Sequence, residues 1–405
     1  MKPCVLLLGI DTPIGLAIVR ELGKHGVEVH GIGRSHGALA SHSRFLAAAH
    51  VRAPAEELLQ QVVSLTGAPE RWMLMAISEG DIAWVNAHRE ALRPLRCLVP
   101  SAQSMMLATD KRRTLELAAG LGIAVPRAWD IHSPDDSARV ARECTFPLVL
   151  KWSDPAAVSG VLVSHGIELL KTEYCDSLPE LDAALRRYAP LGQFPIVQEY
   201  CAGRGLGQFV FMHRGEPIRT FQHRRLHEWP PEGGFSTLCE SLPASAHAPL
   251  MERSIALLRS MNWEGAAMVE YRYDDATGRA VLMEVNGRFW GSLPLAVHCG
   301  AGFCWLTYSV LGLGTLPVLP EPRSDLQCRF GIPDLKRLLT IVFRPERIQD
   351  RTLRFDRAAE LADFFVGMVS PRMRYFVWRL DDPLPFLMDV WNGLKKIVRA
   401  GRRGA

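Results

Sequence analysis

Two lysines, two glutamates, an asparagine and a pair of arginines hold the chemistry that can be read directly from this chain. Met268-Val269-Glu270-Tyr271-Arg272-Tyr273 and Ala280-Val281-Leu282-Met283-Glu284-Val285-Asn286 flank the turn Asp274–Arg279 and read as a hairpin. Apolar Val269, Tyr271, Met283 and Val285 alternate with Glu270, Glu284 and Asn286, which puts the three oxygen-bearing side chains on one face. Hard oxygen donors of that kind suit Mg²⁺ held against nucleotide phosphates. The competing reading is the solvated outer face of an antiparallel sheet. A turn centred on Thr277 sets Glu270 directly opposite Glu284. Their Cβ atoms would then be about 4.5–5.5 Å apart, where like charges repel unless a cation lies between them.

Lys111 and Lys151 supply the cations that phosphate binding requires. Lys151 ends the otherwise apolar strand Phe146-Pro147-Leu148-Val149-Leu150, where a charge is costly without a partner. The segment Phe221-Gln222-His223-Arg224-Arg225-Leu226-His227-Glu228-Trp229 adds the forked donors of Arg224 and Arg225, suited to an anionic substrate or a phosphate. His223 and His227 are spaced four apart, as zinc ligands on a helix would be. Arg224, however, takes the place of the glutamate in H-E-x-x-H, and two adjacent cations oppose a metal, so zinc is not expected.

The elements that position these residues follow from the same patterns. Val5-Leu6-Leu7-Leu8, Gly9, Gly15, an amphipathic stretch through Leu16, Val19 and Leu22, then Val27–Ile32 form a βαβ unit. Further strands at Met73–Ile77 and Cys97–Val99 make residues 1–102 a small parallel α/β domain. Its Gly9–Gly15 turn departs from G-x-G-x-x-G, because Asp11 stands at the second glycine and no acidic residue follows the second strand near Gly33-Arg34-Ser35. Glycines for tight helix–strand packing are the preferred reading, and an NAD(P)-linked oxidoreductase is the weaker one. Thr109 or Asp110 caps a helix through Leu115 and Ala118. Strands are expected at Ile196–Tyr200, Gln208–His213, Ile218–His223, Ala266–Tyr273 and Ala280–Asn286, and a linker at Leu316–Pro322.

The chain has 405 residues, 48% hydrophobic and 22% charged, enough apolar content for a large core and too much for disorder. No apolar run reaches the roughly 18 residues of a membrane span. The start Val5–Ile10 is too short for a signal-peptide core. Nine cysteines without a Cys-x-x-Cys pair read as reduced thiols of a cytoplasmic protein. The net charge of +4 is uneven, with 17 Lys/Arg against 11 Asp/Glu from Leu313 onward. These cations lack the aromatic interleaving of a single-strand groove, so no nucleic-acid partner is expected. Leu387, Trp391, Leu394 and Val398 share one helical face, followed by Lys395, Lys396, Arg399, Arg402 and Arg403. Docking of that face on the body is the preferred reading. An interfacial helix giving peripheral membrane contact is the alternative.

In order along the chain, Asp110-Lys111, Phe146–Lys151, Val197-Gln198-Glu199-Tyr200, Val269-Glu270-Tyr271 and Glu284-Val285-Asn286-Gly287-Arg288-Phe289-Trp290-Gly291 resemble ATP-grasp ligases. The nearest resemblance is to the carbamoyl-phosphate synthetase and biotin carboxylase branch, over roughly residues 1–310. The Glu-x-Asn-x-Arg segment is its most specific element. The resemblance implies an α/β and α+β architecture of three parts. A Rossmann-like pre-ATP-grasp domain would span 1–102, an ATP-grasp domain of two α+β subdomains 103–312, and a basic, mainly helical extension 313–405. It implies that Lys111 and Lys151 hold ATP phosphates, and that the backbone of Gln198, Glu199 and Tyr200 reads adenine. Glu270, Glu284 and Asn286 would bind Mg²⁺ or Mn²⁺, and Arg288 would stabilise the transferred phosphoryl, with Arg224 and Arg225 near the acceptor. The implied reaction is ATP-dependent activation of a small-molecule carboxylate as an acyl phosphate, attacked by an amine or related nucleophile. The alternative is a non-catalytic ATP-binding protein on the same scaffold, and a homodimer is a candidate assembly. Three departures stand out: Ser153–Gly160, where a glycine-rich flap is usual, has one glycine, Gly203–Gln208 has no carboxylate for a ribose, and Gly287 replaces a proline.

Overall fold

The computed structural model describes residues 2–153, 155–170 and 172–403, with backbone alone for 155–157, 394 and 396–403. Five parallel strands open the chain: β1 (Cys4–Leu8), β2 (Val29–Gly33), β3 (Ala48–Val51), β4 (Trp72–Ala76) and β5 (Arg96–Cys97), in the order β3-β2-β1-β4-β5. β1 is buried along its whole length, which is why its sequence is a continuous apolar run. Gly9 adopts φ +103°, and a Cβ on Gly15 would lie 2.3 Å from the Gly9 carbonyl oxygen. Only glycine lets the helix Pro13–Lys24 approach β1 this closely. Asp11 accepts the Arg34 backbone N–H at 3.0 and 3.2 Å and pins the end of β2. Both glycines and the aspartate are thus accounted for by packing.

A four-stranded antiparallel sheet follows, β6 (Ala128–Trp129), β7 (Leu148–Lys151), β8 (Glu173–Cys175) and β9 (Ile196–Glu199), ordered β6-β9-β7-β8. It has a core of its own, including Trp129, Leu150, Leu162, Leu181 and Tyr188. The stretch where a flap would stand carries a helix, Pro155–Ser164, whose Val158 and Leu162 are buried in that core; Asp154 lies outside the described residues.

The largest sheet has seven strands: β10 (Arg204–His213), β11 (Glu216–Trp229), β12 (Phe235–Ser241), β13 (Gly265–Tyr273), β14 (Ala280–Asn286), β15 (Gln327–Arg329) and β16 (Met373–Tyr375). Their order is β14-β13-β10-β11-β12-β15-β16, antiparallel except for β15 and β16. Period-two alternation divides β10 between two cores: Phe209 and Phe211 join Val5, Leu7 and Trp290, while Val210 and Met212 join Leu6 and Leu8. The first sheet and the large sheet are therefore packed into one body.

β10 and β11 are longer than the patterns at Gln208–His213 and Ile218–His223 indicate, because the sheet extends over polar positions that face the cleft described below. The segment after 312 is more than a helical extension. It holds the helices Gly331–Phe343, Arg357–Met368 and Leu384–Arg403, but β15 and β16 complete the large sheet. Strands of three residues are too short for alternation to declare them.

The last helix docks differently from the expectation. Leu387 and Trp391 are each 53% exposed, while Phe386 packs on the core and Asn392 reaches Gly37. The side chains of Leu394, Val398 and the basic run after Lys395 lie outside the described residues. Among the described residues no helix is long and apolar enough to cross a membrane.

Candidate active site

A cleft of about 820 Å³ lies between the four-stranded and the seven-stranded sheets, with residues from the C-terminal segment at one end. Lys111 enters it from the first turn of the helix Lys111–Gly120, whose N-terminus is capped by the Asp110 carboxylate accepting the Arg113 N–H at 3.2 Å. The other proposed cap, Thr109, instead donates to the Met105 carbonyl at 2.8 Å. Lys151, at the end of β7, has no hydrogen-bonded or ion-paired partner among the described residues. Burial pushes its ammonium pKa down, Lys111 and Arg272 push the same way, and Glu284 opposes them. Gln198 and Glu199 of β9 line the same wall, followed by Tyr200. Arg279 donates to Glu199 at 2.8 Å, and the Tyr200 hydroxyl lies 3.2 Å from that of Thr352.

The floor is the β13–β14 hairpin. Glu270 pairs directly with Glu284, as the turn position predicts, and the pairs Val269–Val285 and Met268–Asn286 share that register. Toward the turn the register shifts by one, Tyr271 facing Leu282, so Met283 is an extra residue in β14. The bulge turns Met283 into the cleft beside Glu284, correcting the expectation that it joins Val285 on the far face.

Arg225 lies across this floor. Its Nη1 is 2.9 Å from Glu228 Oε1 and its Nη2 2.5 Å from Glu270 Oε2, while Arg272 Nη1 is 3.0 Å from Glu228 Oε2. The four charges alternate in a buried chain. Burial raises the Glu270 pKa and Glu284 adds to this, against the pull of Arg225. Glu228 is the opposite case: despite burial, Arg272 and Arg225 hold it below the usual carboxylate range.

This donor set fits a hard divalent cation. Glu270 Oε1 makes no hydrogen bond among the described residues, and its carboxylate and that of Glu284 are cross-strand neighbours facing the cleft. No group of three or more His, Cys, Asp or Glu is placed to hold a metal among the described residues, so these two carboxylates would need oxygens from elsewhere.

Three of the expected site residues do not line the cleft. Asn286 sends its Nδ2 to Glu284 Oε1 at 2.9 Å and so acts on the cleft only through that carboxylate. Arg224, one step from Arg225 along β11, points the other way and binds Glu240 at 2.6 and 3.0 Å. Arg288 is held by Glu79 of the first sheet's helix Glu79–Ala87 at 3.1 Å and by the Phe289 carbonyl at 3.2 Å. The cleft also contains residues that the motifs do not announce. Arg272 is the next same-face position after Glu270, so strict alternation already pointed to it. Glu228, Arg329, Arg337 and Glu360 carry no such signal: Glu228 follows a bulge, Arg329 ends a strand too short to read, and Arg337 and Glu360 come from helices of the C-terminal segment.

No family model matches the chain. Over 212 residues it is 26% identical to a D-alanine–D-alanine ligase of Acidiphilium cryptum, covering 50% of this chain and 65% of that one. Over 248 residues it is 23% identical to the carbamoyl phosphate synthase large chain of Mesorhizobium japonicum, covering 54% and 21%. The chain thus spans less than two thirds of the length of these relatives. In three dimensions it matches the biotin carboxylase domain of the 2-oxoglutarate carboxylase from Hydrogenobacter thermophilus, a dimer solved with MgADP, ADP and bicarbonate. The TM-score is 0.61 at 14% identity, over 81% of this chain and 74% of that one. Relatives and neighbours alike are ATP-grasp proteins, and the mixed α/β fold is the one these ligases share. The chain thus has the fold of ATP-grasp ligases and is similar to them in sequence over about half its length.

Proposed function

We propose that the protein is an ATP- and Mg²⁺-dependent ligase that activates a carboxylate as an acyl phosphate for attack by an amine or related nucleophile. One observation carries the reading: Lys111, Lys151, the end of β9 at Gln198–Tyr200 and the Glu270–Glu284 pair, far apart in sequence, all line a single cleft. In this reading Lys111 and Lys151 bind the phosphates of ATP. Lys151 suits that role because burial, Lys111 and Arg272 all disfavour its charge, with Glu284 opposing them, and an arriving anion would relieve that. The backbone at Glu199 and Tyr200 reads adenine. Glu270 and Glu284 hold the divalent cation, Mg²⁺ or Mn²⁺, which when bound neutralises phosphate charge. Arg225, fixed by Glu228 and Glu270, keeps a preoriented positive charge beside the place where negative charge develops during phosphoryl transfer. Arg224 and Arg288 serve as structural ion pairs.

The test is ADP release from ATP·Mg²⁺ in the presence of pooled carboxylates and pooled amines. Release that depends on both pools is expected. Release that ignores the carboxylate pool would sink the ligase reading and leave a nucleotide-binding protein.

A further inference from the structure

β11 has register irregularities on both sides of His227, which pairs with Leu238 while Glu228 pairs with Ser236. Bulges of this kind re-aim side chains beside active sites, and here Arg225, His227 and Glu228 all line the cleft although strict alternation would separate the last two. His227 Nδ1 is 2.8 Å from Asp334 Oδ1. Asp334, 1% exposed in the first turn of the helix Gly331–Phe343, also accepts the Thr237 hydroxyl at 2.9 Å and faces Arg329 Nε at 3.1 Å. His227 and Arg329 together keep this carboxylate ionised despite its burial. An acceptor fixed at Nδ1 makes that nitrogen the protonated one and leaves the lone pair on Nε2. The partner next to Nε2 is Glu360 Oε2 at 4.0 Å, beyond hydrogen-bond reach, and Glu360 is itself clamped by Arg337 at 2.6 and 3.0 Å. His227, Glu360 and Asp363 all border the cleft. The other histidine of the motif is different: His223 is fully buried and its Nε2 meets the Ser292 hydroxyl at 2.7 Å.

We propose that His227, positioned by Asp334, is the proton acceptor for a cationic amine nucleophile that binds between His227 and Glu360. The proposal rests on the ligase reading above. An amine arrives as R–NH₃⁺ near neutral pH and cannot attack until it loses a proton. His227 Nε2 takes that proton, and the freed lone pair forms the C–N bond at the acyl carbon. The C–O bond to phosphate breaks, its electron pair leaves with the phosphate, and the phosphate takes the second N–H proton. An uncharged nucleophile such as an alcohol would gain no charge-assisted contact from Glu360, whereas an ammonium does. Proton transfer of this kind contributes about 10²–10⁴-fold in rate.

Two measurements on the full chain test it. In ¹⁵N NMR at pH 7.5, the resonances that vanish in His227→Gln should show Nδ1 protonated and Nε2 bare. Asp334→Asn, a positioning variant, should move the proton to Nε2. Both nitrogens protonated in the wild type, or a tautomer indifferent to Asp334→Asn, overturns the proposal. In the second, a pool of amino, hydroxy and simple carboxylic acids is offered with either hydroxylamine, which is uncharged at this pH, or the amine found by ADP release. His227→Gln should lose at least 100-fold of the amine-dependent rate and a far smaller factor of the hydroxamate rate. Unimpaired amine ligation, or hydroxamate lost in parallel, overturns the proton-acceptor role. Absence of hydroxamate from the wild type overturns the ligase reading itself.

Discussion

For Lys151 and the two histidines His223 and His298, burial is the leading influence on the behaviour of a single residue. Lys151 is a cation kept in poor surroundings, so Lys151→Met should leave the melting temperature unchanged or raise it. The same variant should weaken ATP binding by about 1.5–3 kcal/mol, roughly 10- to 100-fold, the worth of a hydrogen bond to a charged group. Nucleotide titration beside a melting curve reads both, and unaltered affinity would remove Lys151 from the phosphate site. Burial lowers the pKa of His223 to about 3 and that of His298 to about 4. Both folded values lie below the unfolded value of about 6.5, so from there down to about pH 4 the unfolded chain binds protons that the native chain refuses. Through that window each of these two histidines contributes a fall in stability with falling pH of about 1.4 kcal/mol per pH unit. His298→Gln, which keeps a donor for the Tyr375 carbonyl, should remove about half of that slope in denaturant unfolding at pH 6 and pH 4.5. An unchanged slope would show that His298 is solvated. Lys151 and the carboxylate pair were legible in the sequence because residue type at a strand end or on one strand face already implies a charge to be satisfied, whereas Lys111, in a helix's first turn, was singled out by the family resemblance. His227 was not, because its partner Asp334 is more than 100 residues away.

At the scale of elements, the hairpin's facing pair followed from counting back from the turn, and the bulge at Met283 did not. Alternation records which face a residue takes only while the register is unbroken. The two irregularities in β11 hid Glu228 and His227 in the same way. β10 shows what this crowding requires of its neighbours: a Cβ on Gly205 would lie 2.6 Å from Arg225 Cδ. Gly205→Ala should therefore displace the Arg225 guanidinium and cost about 1–3 kcal/mol, the usual penalty of overpacking. Binding of Mg²⁺ with nucleotide should raise the melting temperature of the wild type. Glu284→Gln should abolish that increment, and a full increment in the variant would place the metal elsewhere.

For the whole molecule, one buried ion pair ties the first sheet to the C-terminal segment. Arg20 and Asp382 are each 2% exposed and 2.9 Å apart, and Asp382 also accepts from the Ser43 hydroxyl at 2.7 Å and the Arg44 N–H at 3.0 Å. Asp382→Ala strands the guanidinium and should cost about 3–5 kcal/mol in denaturant unfolding, with Arg20→Met added on top recovering part of the loss. A double variant no better than the single would show that the arginine does not suffer alone. The hairpin and the apolar strands β1, β2 and β4 could be read ahead of the structure from their patterns, whereas β3 (Ala48–Val51) was not. The closure of the large sheet by β15 and β16 could not, and neither could this ion pair, whose partners are 362 residues apart. That separation sets a schedule for biosynthesis. At about 5–20 residues per second, roughly 18–70 s pass between the emergence of Arg20 and that of Asp382. Through that interval the helix Pro13–Lys24 holds an arginine that must stay in water, so its docking on that side waits for the last part of the chain. A ribosome that stalls after β14 would already have made Lys111, Lys151, Glu270 and Glu284, yet would hold a nascent chain whose first sheet is still unsealed and whose cleft lacks one end.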